Sequence, residues 1–335
     1  MANQALATRI DDAAWHGALD AIASAQSIAL ACHVGPDGDA LGSMLALGLG
    51  LRGLGKAVVA SWGSEPFAVP AMYSFLPGQE LLVPVGEFPP APTLLVTFDT
   101  GSLDRLGALA PHAEKADCVV VVDHHASNTG YGNIHLVDSG AAASAVVVEE
   151  LLRRLGVALT PEIATCLYTG LTTDTGSFKF SATTPAVHEL AARLLATGIA
   201  HDEISRTVWD TNRFDYLRLL GELLERTRLE RPYGLVWTVV FASDLDDFGV
   251  RMDEIEGVID VIRTTAESEV AVVFKQESDR RWAVSMRSRG RVDVGAIAVA
   301  NGGGGHRFAA GFTSDVDYQD ALAHLRHALR GGAGG

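Results

Sequence analysis

The sequence is poor in cysteine, in positive charge and in long apolar runs. Its three cysteines, Cys32, Cys118 and Cys166, stand beside apolar residues without metal-type pairing, which favours buried thiols in a reducing compartment over disulfides. No apolar run reaches the roughly 18 residues that a membrane-spanning helix needs. The start of the chain lacks the basic and apolar regions of a secretory signal. We therefore expect a cytoplasmic protein that has no membrane partner.

Basic residues are also scarce, since 26 Lys and Arg oppose 41 Asp and Glu and give a formal net charge of −15. A protein that binds long nucleic acid needs an excess of Lys and Arg, so no long nucleic-acid footprint is expected. The charge is uneven: residues 1–185 hold 8 basic and 18 acidic residues, whereas residues 275–307 hold 7 basic and 3 acidic ones. This division is typical of a metal site paired with an anionic substrate. A solvated charged surface is the alternative interpretation.

The length of 335 residues and the apolar content of 48% predict two globular domains. Val- and Leu-rich runs without polar alternation predict buried strands of a parallel sheet at 27–34, 56–62, 93–99 and 118–123. Helical patterns between them, such as residues 39–55, make this half of the chain α/β. Helices dominate residues 143–225, and residues 213–230 predict a long connecting helix.

A smaller α+β domain with a mixed sheet is expected after these helices. Its strands are predicted at 234–243, 269–277 and 281–288, and its helices at 252–265, 292–300 and 318–330. We therefore divide the chain into an N-terminal domain with a mainly parallel sheet flanked by helices (1–190), a helical linker (191–230), a C-terminal domain (231–331) and a flexible tail (332–335).

Aspartate and histidine residues stand where the predicted strands of the first domain end. They are His33, Asp37, Asp39, Asp99, Asp123, His124 and His125, with Asp174 in a later segment. Functional groups gather at the carboxyl ends of strands in open parallel sheets. Carboxylates with a few imidazoles and no thiolate favour manganese or magnesium, and so many groups favour a pair of ions. Scattered helix caps and turns are the alternative.

Five short motifs resemble those of one family. "HVGPDGDALGS" (33–43), "DTGS" (99–102), "DHH" (123–125) and "TDTGSF" (173–178) are similar, in order, to the four motifs of the DHH phosphoesterase superfamily. "GGGGHRFAAGF" (302–312) resembles the glycine-rich signature of the DHH-associated domain. Within the superfamily, the chain is most similar to the NrnA-like oligoribonuclease and pAp phosphatase group, which includes actinobacterial members active on cyclic di-AMP. Gly35 and Gly38 occupy variable places of the first motif and remove no ligand.

The resemblance implies a role for each strand-end residue. One Mn²⁺ would be held by His33, Asp37 and Asp99, and the other by Asp39, Asp99, His124 and Asp174, with Mg²⁺ or Co²⁺ as substitutes. Three residues would serve catalysis: bridging Asp99, His125 beside the substrate phosphate or the nucleophile, and Asp123, which would orient an imidazole.

The C-terminal domain would bind substrate. Arg287 can hold a phosphate in bidentate fashion, with Ser288 beside it. The glycine run offers backbone N–H groups that approach a phosphate closely, at Gly303, Gly304 and Gly305. His306 can donate to a phosphate oxygen. A flexible linker is the alternative for the glycine run.

The function that the resemblance implies is that of a two-manganese phosphohydrolase and 3′-to-5′ oligoribonuclease. It would degrade very short oligoribonucleotides (nanoRNA, pApA) to mononucleotides and dephosphorylate pAp to AMP. A cyclic di-AMP phosphodiesterase, which would share the same residues, is a second possible function. A manganese pyrophosphatase and a non-catalytic nucleotide-binding module are a third and a fourth. The resemblance also implies a homodimer.

Overall fold

The computed structural model describes residues 10–331 of the chain. The chain divides between Thr211 and Asn212 into two compact units. The predicted limits at residues 190 and 230 stay predictions. The predicted flexible tail at 332–335 lies outside the described residues.

The N-terminal unit contains one sheet of five strands in the order β2-β1-β3-β4-β5, and every pairing in it is parallel. The strands are β1 (Ser27–Cys32), β2 (Ala57–Trp62), β3 (Leu94–Phe98), β4 (Cys118–Asp123) and β5 (Ile134–Val137). Side chains alternate between two apolar layers. For example, Ile28 and Leu30 of β1 face one core, and Ala29 and Ala31 face the other. Burial on both faces explains the unbroken apolar runs, as expected for a parallel sheet.

Seven α-helices accompany this sheet in the described part of the unit. They are α1 (Asp12–Ser24), α2 (Gly38–Gly53), α3 (Ala110–Glu114), α4 (Ser144–Arg154), α5 (Pro161–Asp174), α6 (Pro185–Leu195) and α7 (His201–Trp209). Side chains cap several N-termini: Thr160 accepts from the Ile163 N–H at 3.3 Å, and Thr184 accepts from the Val187 N–H at 3.4 Å.

Helix α2 is almost entirely buried and packs closely against α5. A Cβ on Gly42 would lie 2.3 Å from the carbonyl oxygen of Cys166, so the two backbones approach as closely as glycine allows. This contact fixes the N-terminal half of α2 against the middle of α5. The N-terminal end of α2 and the C-terminal end of α5 carry predicted metal ligands, Asp39 and Asp174.

The C-terminal unit contains a mixed sheet of six strands in the order β10-β11-β9-β8-β7-β6, in which only β7 and β8 pair in parallel. The strands are β6 (Arg228–Glu230), β7 (Leu235–Val240), β8 (Val270–Ser278), β9 (Arg281–Ser288), β10 (Gly304–His306) and β11 (Ala309–Ser314). The helices are α8 (Phe214–Arg226), α9 (Ala242–Phe248), α10 (Val258–Ile262), α11 (Val294–Ala300) and α12 (Tyr318–Gly331).

Both faces of this second sheet are covered. Leu235 and Phe274 share one core with residues of α11 and α12, whereas Val236 and Val273 share another with residues of α8 and α10. The alternation of β7 and β8 side chains between two cores accounts for their apolar sequences. The fold class is therefore the predicted one: α/β in the first unit and a mixed sheet with helices in the second.

Several predicted elements differ from the structure. The helix predicted to 230 ends at Arg226, and residues 228–230 form β6. The helix predicted over 252–265 is a 3₁₀ turn, Met252–Ile255, followed by the short α10. No sequence pattern indicated β5, α9 or β11. The glycine run forms β10 rather than a flexible linker, because its backbone pairs with β11.

Among residues 10–331, no helix is both long and apolar enough to cross a membrane. The cytoplasmic localisation stays a prediction.

The contact at Gly42 leads to a stability prediction. Gly42→Ala adds a methyl group against the Cys166 backbone, so we expect it to lower the free energy of unfolding by about 1–3 kcal/mol. Gly53→Ala, at the other end of α2, adds a methyl that meets no atom within 4 Å and should be neutral or stabilising by up to about 1 kcal/mol. Urea unfolding of both variants measures the difference. Equal stabilities would contradict close packing of α2 on α5.

Candidate metal centre

Three neighbouring parallel strands deliver polar side chains to one edge of the first sheet. β1, β3 and β4 lie side by side, so their carboxyl ends coincide. His33 directly follows β1, Asp99 directly follows β3, and Asp123 ends β4. All three side chains are buried. The predicted convergence of these strand ends is therefore present in the fold.

Asp99 lies at the centre of this edge and has a strained backbone. Its N–H continues the ladder by donating to the Val122 carbonyl at 2.9 Å. Its φ of 54° lies in the left-handed region, which non-glycine residues adopt at a cost of about 1 kcal/mol or more. The Ser144 hydroxyl donates to Asp99 Oδ1 at 3.0 Å and fixes the carboxylate. The turn thus directs the Asp99 carboxylate into the polar cluster.

Asp99 belongs to three groups of potential ligands, two of which consist of residues predicted to hold an ion. One contains His33, Asp37 and Asp99, and the other contains Asp39, Asp99 and His124; in each, the ligand atoms lie within 4.8 Å of one another. His33 Nε2 lies 3.5 Å from Asp99 Oδ2, whereas His124 Nε2 lies 3.3 Å from Asp99 Oδ1. The two oxygens of one carboxylate therefore face two different imidazoles.

The turn between β1 and α2 supplies two of the carboxylates. Asp37 caps α2 by accepting from the N–H groups of Asp39 and Ala40 at 3.1 and 3.0 Å. Asp39, two residues further along, is fully buried. Its oxygens accept from the Ser144 and Ala145 N–H groups at 2.5 and 2.9 Å, so the N-terminus of α4 stabilises its charge.

Backbone carbonyls orient the two imidazoles. His33 Nδ1 lies 3.0 Å from the Val34 oxygen, and His124 Nδ1 lies 3.2 Å from the Ala141 oxygen. When each Nδ1–H donates to its carbonyl, Nε2 is the nitrogen that faces the carboxylates and that would bind a cation. This is the usual arrangement of a metal-binding histidine, whose second nitrogen is held by a backbone or carboxylate acceptor.

Asp174, at the end of α5, contacts the cluster through His124 but belongs to none of the groups of described residues whose ligand atoms all lie within 4.8 Å of one another. Its Oδ2 lies 3.0 Å from His124 Nε2. A carboxylate at the C-terminus of a helix is unfavourable, because the last carbonyls carry partial negative charge. Burial raises the pKa of Asp174 to about 6, although the contact with His124 opposes this. A cation at this place would relieve both penalties.

His125 and Asp123 form a pair beside the shared carboxylate. Asp123 Oδ1 lies 2.7 Å from His125 Nδ1, and its Oδ2 accepts from Asn128 Nδ2 at 2.6 Å. His125 Nδ1 also lies 3.6 Å from Asp99 Oδ1. Asp99, Asp123 and His125 form a further group that could hold an ion. The hydrogen bonds of Asp123 favour the orienting role expected for it.

The cluster strongly perturbs the acidity of its members. Burial opposes charge on Asp99, but hydrogen bonds with His124 and His33 outweigh it and hold the pKa of Asp99 well below its usual range. Burial alone would lower the pKa of His33, but its contacts with Asp37 and Asp99 raise it to about 10. Burial, and then repulsion from Asp174 and Asp99, raises the pKa of Asp39 well above its usual range. A bound cation would replace the protons that the imidazoles carry.

The donor set suits a hard divalent cation. It consists of carboxylate oxygens and imidazole nitrogens, which are typical ligands of Mn²⁺ and Mg²⁺. The nearest thiol in sequence, Cys32, is buried inside β1 and belongs to the apolar core. The residues present therefore fit a metal centre of oxygen and nitrogen ligands, and a thiolate zinc site is excluded here.

The C-terminal unit brings together residues predicted to bind substrate. His306 of β10 pairs with Ala309 of β11, and Ala309 pairs with Arg287 of β9. His306 and Arg287 therefore occupy one row across three strands. The Ser288 hydroxyl donates to Glu269 Oε1 at 3.1 Å and accepts from the Gly290 N–H at 3.2 Å, which gives this side chain a role in the turn that follows β9.

The glycines of the run differ in what a Cβ atom at each position would meet. A Cβ on Gly303 would lie 2.2 Å from the Gly311 oxygen, and one on Gly305, whose φ is 128°, would lie 2.7 Å from the Ala309 oxygen. Both are therefore required by the pairing of β10 with β11. A Cβ on Gly304 would meet no atom within 4 Å, so this glycine keeps open space beside its backbone.

Comparison with known protein families agrees with the DHH motifs that supply the strand-end cluster. The N-terminal domain of the DHH family matches residues 27–171, and the DHHA1 domain matches residues 235–331. The bifunctional oligoribonuclease and PAP phosphatase NrnA of Thermus thermophilus is 37% identical over 308 residues, which cover 90% of this chain and 89% of that protein. The chain belongs to the DHH family of phosphoesterases.

Solved structures show the same fold. An exopolyphosphatase-related protein from Bacteroides fragilis superposes with a TM-score of 0.85 at 24% identity, covering 97% of this chain and 98% of that one. RecJ from Thermus thermophilus, solved in complex with Mn²⁺, gives a TM-score of 0.55 at 15% identity and covers 97% of this chain and 55% of RecJ. The likeness in fold thus covers residues of both units.

Two residues of the DHH cluster were not predicted from the sequence. Ser144 binds Asp99 with its hydroxyl and Asp39 with its N–H, and Asn128 binds Asp123. A serine at a helix start is an ordinary cap signal, and nothing in the sequence links it to residues 45 and 105 positions away. Asn128 lies three residues after the DHH motif. Its closeness to the motif in the sequence could therefore have identified it as a candidate site residue.

Asp99→Asn tests the shared ligand. Because a cation that binds only the folded state stabilises it, Mn²⁺ at 100 times Kd should stabilise the native protein by about 2.7 kcal/mol. We expect Asp99→Asn to lose most of the corresponding rise in Tm, since the amide keeps the size of the side chain but removes the charge. Asp104→Asn, an exposed neighbour, is the control and should keep the full rise. Thermal unfolding with and without MnCl₂ measures both. An unchanged rise in Asp99→Asn would remove Asp99 from the centre.

Proposed function

We propose that the protein is a two-manganese phosphohydrolase that degrades very short oligoribonucleotides and dephosphorylates pAp. The observation that carries this proposal is the presence of two ligand groups that meet on the two oxygens of Asp99. A carboxylate shared in this way would serve both ions of a two-metal site, in which the ions lie about 3.5–4 Å apart.

His33, Asp37 and Asp99 would hold one ion, and Asp39, Asp99, His124 and Asp174 would hold the other. When bound, such a pair supplies positive charge to the phosphoryl oxygens and lowers the pKa of water for attack on phosphorus. Mg²⁺ or Co²⁺ would substitute for Mn²⁺ with the same oxygen and nitrogen ligands.

His125 and Asp123 would act on the substrate beside the ions. Burial lowers the pKa of His125, but the hydrogen bond with Asp123 and the charge of Asp99 outweigh it and raise the value. A protonated His125 can donate to a phosphoryl oxygen or to the leaving oxygen. Asp123 would fix the ring so that the other nitrogen, Nε2, is presented to the substrate, the role of an orienting carboxylate in acid–base catalysis.

The C-terminal unit would bind the substrate through Arg287 and His306, which share a row of the sheet, with the backbone of the Gly303–Gly305 run and Ser288 beside them. A substrate with few phosphates needs only a local basic patch, which is compatible with a net charge of −15. The likeness to Thermus NrnA, a bifunctional oligoribonuclease and PAP phosphatase, supports this substrate class, and the Mn²⁺ in RecJ supports the metal. A homodimer is the expected assembly.

A single assay series in MnCl₂ tests the function. We expect turnover of pApA, a five-nucleotide RNA and pAp, with kcat/KM at least roughly 10³-fold lower in Asp99→Asn because charge stabilisation in the transition state is lost. Cyclic di-AMP and pyrophosphate are run beside them, with Asp104→Asn as the control variant. Mononucleotide release is followed by chromatography.

The outcomes separate the candidate functions. A higher kcat/KM for cyclic di-AMP than for pApA would make the cyclic dinucleotide the main substrate. Turnover restricted to pyrophosphate would replace the proposal with a pyrophosphatase. Binding of pApA without turnover of any substrate would leave a nucleotide-binding module and overturn the proposal.

Arg287→Ala tests the substrate role of the second unit. Loss of a charged hydrogen bond costs about 1.5–3 kcal/mol, so we expect KM for pApA to rise about tenfold or more while kcat changes less. Arg281→Ala, at the opposite end of β9 and paired with Glu277, removes the same charge from the same strand and should keep the native KM. An unchanged KM in Arg287→Ala would exclude this arginine from the site.

A further inference from the structure

One arginine of the acidic N-terminal unit reaches the candidate metal centre. Arg105 Nη2 lies 3.4 Å from His33 Nδ1, on the side of the ring opposite the carboxylates. No carboxylate among the described residues pairs with Arg105. Other basic side chains of the unit are engaged away from the centre, for example Arg52 with Glu80 and Arg154 with Glu150. Arg105 thus keeps unused guanidinium donors at the rim of the centre.

The loop that carries Arg105 is fixed to the two neighbouring strands. The Val34 N–H, just beyond β1, donates to the Arg105 carbonyl at 2.9 Å, and the Ala108 N–H donates to the Gly63 carbonyl, just beyond β2, at 3.0 Å. A Cβ on Gly63 would lie 2.0 Å from the Leu106 oxygen. The end of β2 and the loop that carries Arg105 therefore approach as closely as glycine allows. The fold therefore fixes the backbone position of Arg105.

Ser64 adds a second donor to the same place. Its Oγ accepts from the Gly35 N–H at 3.3 Å, which leaves the hydroxyl proton available to donate. Gly35 has a φ of 63° and open space at its Cβ position. Ser64, Gly35 and Arg105 follow β2, β1 and β3, which are adjacent strands, so their groups line the same edge of the sheet.

We infer that Arg105 and Ser64 form a phosphate subsite of the N-terminal unit, beside His33, that binds the phosphate of a short nucleotide next to the one being hydrolysed. The inference rests on the proposed function and specifies its substrate: a nucleotide with a second phosphate. A guanidinium recognises phosphate with two parallel hydrogen bonds, and a hydroxyl supplies a third. The scissile phosphate would lie at the ions, and its neighbour towards β2.

Comparison of pAp with adenosine 3′-monophosphate tests the subsite, because they differ only in the second phosphate. We expect the native protein to prefer pAp in kcat/KM. Arg105→Met should lower this preference by roughly 10- to 100-fold, mainly through KM for pAp, with a much smaller change for the monophosphate. Ser64→Ala should lower it by a smaller factor. Lys115→Met, an exposed cation of the same unit, is the control and should keep the native preference.

Three results would overturn the inference. Equal losses of kcat/KM for both substrates in Arg105→Met would mean that Arg105 supports His33 or the ions. A reduced Mn²⁺-dependent rise in Tm in this variant would show the same. A native protein that hydrolyses both substrates without preference would lack the subsite. If the native protein hydrolyses neither, the proposed function fails. Calorimetric titration of pAp and the monophosphate in MnCl₂ then decides the subsite by the same loss of preference in Arg105→Met.

Discussion

The shared carboxylate of Asp99 is the contact on which the rest of the candidate site depends. Its two oxygens face His33 and His124, which follow different strands, so the two ligand groups exist only if β1, β3 and β4 end together. The parallel sheet provides this coincidence. The left-handed backbone of Asp99, with a φ of 54°, then directs the carboxylate between the two histidines, and the packing of the sheet compensates for the strain.

Buried negative charge is the cost of this arrangement. Asp39 is fully buried and Asp99 nearly so, and repulsion between such groups disfavours their common ionisation. The fold compensates in three ways. The N-terminus of α4 donates to Asp39, the imidazoles of His33 and His124 contact Asp99, and Arg105 lies behind His33. A divalent cation would remove the remaining penalty. The same positive charge would attract a phosphate, which connects the stability of the site to its chemistry.

Much of the fold and of the candidate site could be predicted from the sequence. The unbroken apolar runs predicted four strands of the first sheet, three of which deliver the ligands, because strands buried on both faces tolerate few polar residues. The elements that were missed have weak local signals. Strand β5 has only four residues, β10 consists mainly of glycine, and β11 contains two alanines and a glycine, so each depends on its sheet partners. The turn after α8 was also missed, because residues 228–230 continue the helical pattern.

The sequence by itself determined which chemical groups are available: carboxylates and imidazoles at the ends of parallel strands, a basic segment in the second unit, and the motifs of the DHH family. Only the tertiary structure decided which of these groups contact one another and which other residues contact them. Ser144 contacts Asp39 across 105 positions, and Arg105 contacts His33 across 72. Such pairs have no local signature, because the packing of α4 and of the loop after β3 sets these distances, and packing depends on the whole core.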